Sequence, residues 1–173
     1  MYFFDFVNSD LGAYAQFTSR LGFRRIFGPG EIAVARKLEG TGSETPGILV
    51  TSDSRLISKA ARLEGIIGVV FEDLAIRKML MSELRDYDKF LVFSPMQVVL
   101  QDRAEATHRI RRARELFRNA EHIGVKTAIA SLAQSIYDVY SSAQLAEIAK
   151  LIGASEEGAK RMLNEMGEML YDT

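Results

Sequence analysis

The sequence predicts one α/β domain of about seven parallel strands alternating with helices, its sheet either a closed barrel or an open doubly wound one, with a C-terminal helix pair. Three observations predict it. Short apolar runs rich in Val, Ile and Phe alternate with amphipathic stretches along most of the chain, the rhythm of repeated strand–helix units. Most of those runs lack the polar alternation of half-exposed strands, so they read as strands covered on both faces, in a closed barrel or a doubly wound sheet. The length, 173 residues, fits a single domain over 1–173 able to bury a proper core.

Each element has its own signals. Tyr2–Val7 (YFFDFV) is the first strand, and Asn8, Ser9 or Asp10 can cap a helix over Leu11–Leu21 that Gly22 closes. Phe23–Phe27 is a second strand, and the turn Gly28–Gly30 leads to a third in EIAVARKL. Glu39–Gly47 (EGTGSETPG) reads as a flexible loop. GILVTS is the next strand, Ser52 or Asp53 an N-cap, and SRLISKAARLEG a helix ended by Gly65. IIGVVFED is a strand, LAIRKMLMSELRDY a helix, and Lys89–Pro95 (KFLVFSP) a strand. A long helix then covers Gln101–His122, and VKTAIASLA is the last strand. Ser141 with Gln144 makes a capping box, Gly153 ends that helix, and Ser155 caps the final one.

Composition removes several functions. Cysteine is absent, which excludes disulfides, thiolate metal sites and a cysteine nucleophile. With only His108 and His122, a zinc-hydrolase site would rest almost wholly on carboxylates, which suit zinc poorly. The N-terminus is broken by Asp5 and lacks a basic lead, so it is no signal peptide, and no apolar run approaches a membrane span. A cytoplasmic protein is expected. No G-x-G-x-x-G follows the first strand and no P-loop motif occurs; GTGSETPG neither follows a convincing strand nor opens a helix.

Net charge is −1, yet its distribution is uneven. Residues 1–100 balance 12 basic against 12 acidic side chains, whereas residues 101–126 hold seven against four and residues 127–173 three against seven. The positive charge lies in Arg103–Arg118 (RAEATHRIRRARELFR). At about 100° per residue Ala106, Ile110, Ala113 and Phe117 share one face, which should pack on the sheet. Arg103, Arg111, Arg114 and Arg118 form a neighbouring stripe about 80° wide, with Arg112 and His108 further round and Arg109 at the apolar border. A solvated helix face explains part of this, with Glu105–Arg109 and Arg111–Glu115 as (i, i+4) neighbours. Arginine, however, suits bidentate phosphate contact, and these residues outnumber the local carboxylates. Arg55, Lys59 and Arg62 form a smaller stripe on an earlier helix. Arg103, Arg111, Arg112, Arg114, Arg118, Arg55, Lys59 and Arg62 are therefore the candidate RNA contacts, and scattered patches suit a folded RNA better than a long duplex.

From about Leu91 to Leu170 the chain resembles the ribonuclease P protein component 3 family, the TIM-barrel-like subunit of archaeal and eukaryotic RNase P. The resemblance rests on LVFSP (Leu91–Pro95), on the arginine-rich helix opening with Arg-Ala, on IASLAQSIYDVYSSAQLAEIAKLIG and on ASEEGAKRML, with Asp5 in the opening strand. Tyr140 and Ser142 stand where the family usually has Arg and Pro, and Gln144 where an acid is common. The first half is compressed, so an incomplete barrel is expected. The resemblance implies a scaffold rather than a catalyst. In such an enzyme the RNA binds Mg²⁺ and removes the 5′ leader of precursor tRNA. The protein pairs with a small ferredoxin-like subunit and other RNase P proteins, meets precursor tRNA only indirectly, and carries no cofactor or metal of its own. Neither a membrane nor DNA is an expected partner.

Two other readings compete. A small TIM-barrel-like phosphoesterase acting on a phosphorylated metabolite would place catalytic groups at strand C-termini, where Asp5, Thr51, Ser52, Asp53, Glu72, Asp73, Ser94 and Ser131 are the candidates. A helix-turn-helix DNA-binding regulator would use residues 141–163, but its second helix would open on Glu156 and Glu157, which repel phosphate.

Overall fold

The computed structural model describes residues 3–7, 17–38, 45–100 and 102–171. In chain order the elements are β1 (Phe4–Phe6), β2 (Arg25–Phe27), β3 (Ala33–Ala35), β4 (Gly47–Thr51), α1 (Ser54–Ala61), β5 (Ile66–Phe71), α2 (Lys78–Asp86), β6 (Phe90–Phe93), α3 (Arg103–Ile123), β7 (Thr127–Ile129), α4 (Ser142–Leu151) and α5 (Glu156–Tyr171). All strand pairings are parallel, in a five-stranded sheet β3-β4-β5-β6-β7 and a separate pair β1-β2. The two are joined where Val7 bridges Ala133 and the Leu132 amide donates to the Phe6 carbonyl at 2.8 Å. Between β2 and β3 no ladder forms among the described residues, so the barrel is not closed.

Two apolar layers follow from the strand period of two. Phe4, Phe6, Phe27, Ile48, Phe90 and Val92 fill the inside, and the Phe6 and Phe27 rings stack at 5.2 Å. Leu49, Phe71, Leu91, Phe93 and Ile129 face outward onto Ile57, Leu80, Leu84, Leu116 and Phe117 of α1, α2 and α3. Within β5 the alternation slips, because Ile67 and Val70 both face inward, three residues apart. The register shift opposite Gly47 and Ile48 causes this. Gly68 fits there because a Cβ would lie 2.7 Å from Val92 Cγ2. Met166 and Leu170 of α5 reach the inner layer from the strands' N-terminal end, beside Phe4.

Helix boundaries follow the capping residues with two corrections, and one strand is shorter than expected. The Asp53 carboxylate accepts from the Arg55 amide at 2.8 Å, as expected of an N-cap, but α1 stops at Ala61, with Arg62 as its C-cap and not an interior residue. Helix α2 begins at Lys78, not at Leu74. Leu74 has φ +54°, and the Asp73 carboxylate turns the chain by accepting from the Ala75 amide at 3.1 Å. The third strand shrinks to Ala33–Ala35. The expected helix over Leu11–Leu21 lies largely outside the described residues, and its end, 17–22, is a turn closed by Gly22 at φ +81°. Most of the loop Glu39–Gly47 also lies outside them, and Gly47 opens β4. The capping box of Ser141 and Gln144, Gly153 at φ +114° and the Ser155 cap on the Gly158 amide occur as read. No helix among the described residues is long and apolar enough to cross a membrane.

Candidate nucleic-acid interface

Asp102 starts α3 by accepting from the Ala104 and Glu105 amides at 2.8 and 2.9 Å, and Gly124 at φ +82° ends it. Burial of Ala113, Leu116, Phe117 and Ala120 fixes the helix's rotation and turns its arginines outward. Arg103, Arg112 and Arg118 are exposed and make no side-chain ion pair among the described residues. Arg111, 80 % exposed, approaches Glu115 only at 3.5 Å. Arg109 is half-buried, 3.4 Å from Glu105, and its Nη1 donates weakly to the Gln97 carbonyl at 3.5 Å. Arg114 differs: its Nε donates to the Leu151 carbonyl at 2.7 Å, tying α3 to the last turn of α4. Its place one helical turn after Ile110, at the apolar border, is the sequence signal for that inward reach.

The other basic residues lie apart from this face. Arg55 and Lys59 of α1, with Arg62 just past it, line a groove of about 780 Å³ between α1 and α2. The eight residues expected to meet RNA thus occupy two separate surfaces with α2 between them.

A second cavity, about 530 Å³, opens at the C-terminal ends of the strands over Val34, Val50, Val70 and Leu132. Several carboxylates and hydroxyls at this end are engaged, while Asp5 keeps one oxygen unpartnered. Glu72 accepts from Arg36 at 2.6 Å, and Asp73 receives both terminal nitrogens of Arg77, at 2.8 and 2.6 Å, which holds its carboxyl below the usual range. Thr51 Oγ1 accepts from the Asp53 amide at 3.1 Å, and Ser94 Oγ donates to the Ser131 carbonyl at 3.2 Å. Asp5 is fully buried, with Oδ1 accepting from the Phe6 and Ser131 amides at 2.8 and 2.7 Å. Asp5 also meets the Ser131 side chain and keeps Oδ2 without a hydrogen bond, and the described residues contain no cluster of three acidic or histidine side chains placed to hold a metal. In the helix pair α4–α5 the inner face of α5 is buried at Met162, Leu163, Met166 and Gly167, and its exposed first turn carries Glu156 and Glu157.

These shapes have a precedent. Superposition covers 98 % of this chain and 80 % of a chain in the cryo-EM structure of archaeal Ribonuclease P with mature tRNA, at TM-score 0.70 and 11 % identity. The fold is shared. A crystal structure of an uncharacterized protein matches over 75 % of this chain and 34 % of its own length, at TM-score 0.54 and 13 % identity. No family model matches the sequence, and no curated protein sequence does.

Proposed function

We propose that this chain is a protein subunit of ribonuclease P, supporting the RNA-catalysed removal of the 5′ leader from precursor tRNA. The observation that carries the reading is the likeness over 98 % of the chain to a chain of archaeal Ribonuclease P. The arginine helix and closing helix pair of the resembling sequence family support it from a separate direction. In this role the catalytic RNA binds Mg²⁺, and the protein stiffens that RNA together with a small ferredoxin-like subunit and other RNase P proteins. Arg103, Arg111, Arg112 and Arg118 project from one rigid helix, where guanidinium groups can meet two phosphate oxygens at once. The ion pairs that hold Glu72 and Asp73 support a scaffold over a hydrolytic centre on those carboxylates. Affinity capture of the chain from its native cells, followed by sequencing of the bound RNA, tests the reading. RNase P RNA should dominate; recovery of unrelated RNA alone, or of none, contradicts it.

A further inference from the structure

The groove between α1 and α2 has a composition that an RNA surface does not require. Arg55, Lys59, Arg62 and Lys78 stand on its rim, and none has a side-chain partner among the described residues. Asp53 caps α1 and Asp73 holds Arg77 at 2.6 Å, so the acid left in the groove wall is Glu83, which accepts from Ser58 Oγ at 2.6 Å and stands against the four rim cations. The first turn of α2 has no acid and no side-chain cap. Below this positive rim the groove is apolar, lined by Leu63 and Leu80, and Met79 stands at its edge 75 % exposed.

We propose that this groove docks an acidic amphipathic helix of a partner protein, apolar stripe on Met79, Leu63 and Leu80, carboxylates on the four rim cations. Two helices side by side form the kind of trough that receives a third, through anchors at i, i+3, i+4 and i+7. An exposed methionine is suited to such a contact, since its flexible thioether adapts to many apolar shapes. RNA fits less well. A phosphate backbone would leave Met79 and the half-buried Leu63 in water, and among the described residues no aromatic side chain lines the groove to stack an unpaired base. Arg55, Lys59 and Arg62 are thereby separated from the α3 arginines, and the assignment does not depend on the ribonuclease P reading.

Fluorescence anisotropy of the full chain with a labelled Glu/Leu peptide, its leucines at i, i+3, i+4 and i+7, tests the proposal. A peptide of the same composition with scattered leucines, and a single-stranded RNA competitor, complete the experiment. The amphipathic peptide should bind about tenfold more tightly than its scattered counterpart, and added salt should weaken it. Met79→Ser should weaken it severalfold with an unchanged melting temperature, because that side chain is exposed, and reversing Arg55, Lys59 and Arg62 to Glu should abolish it. Equal binding of the two peptides, an unaffected Met79→Ser protein, or displacement of the peptide by RNA overturns the proposal.

Discussion

Asp5 has one carboxylate oxygen engaged and the other buried without a partner. Oδ1 takes the Phe6 and Ser131 amides, while Oδ2 has no hydrogen bond. Burial is the dominant influence and pushes the carboxyl up to about 7, against the lowering effect of its bonds with Ser131 and Phe6. The folded chain therefore holds a proton at pH values where the unfolded chain, with its ordinary carboxyl near 3.8, has released it. This contribution to stability is full below the unfolded value and declines as pH rises through the window up to about 7. Asp5→Asn should flatten the urea midpoint across that window; an unchanged pH slope contradicts this account. Gly167 makes a steric demand instead, since a Cβ there would run into the Phe4 ring. Gly167→Ala should cost about 1–3 kcal/mol, the usual penalty of overpacking, measured by chemical denaturation. Asp5 was legible as a strand aspartate, but its partner Ser131 was not. The two are 126 residues apart, and no local pattern couples them.

Helix α3 was read as Gln101–His122 from its apolar arc, close to the observed Arg103–Ile123, but the Asp102 cap that sets its start was not read. Which of its arginines remain free depends on what packs beside it. Arg114 is spent on the exposed end of α4, where a cation near unpaired carbonyls also complements the helix dipole. Arg114→Ala should therefore lower stability by about 1 kcal/mol. Arg118→Glu should leave the melting temperature nearly unchanged and weaken RNA binding in a salt-sensitive way. Equal melting temperatures for the native and Arg114→Ala proteins would show the tie to be inconsequential. Helix α2 was harder to read. Asp73 and Arg77 have the spacing of a helical ion pair, yet Asp73 spends its carboxylate on a turn as well, and the helix waits until Lys78.

Seven parallel strands and two apolar layers follow from the alternation of the sequence, whereas the incompleteness was implied by the resemblance to a family with a longer first half. The place of the opening was not legible. It falls between β2 and β3, joined by the short turn at Gly28–Ile32, whose amides at Glu31 and Ile32 bond back to Gly28. That closure turns the chain without a crossover helix, and β3 pairs with β4 instead. The resulting molecule presents an arginine helix on its outer layer, apart from the basic groove between α1 and α2. That helix suits the molecule to the proposed bracing of an RNA. Reconstituted cleavage of precursor tRNA, titrated with Mg²⁺ with and without this chain, tests that role most directly. Its omission should raise the Mg²⁺ required for 5′-leader removal, and a Mg²⁺ requirement that stays the same would contradict it.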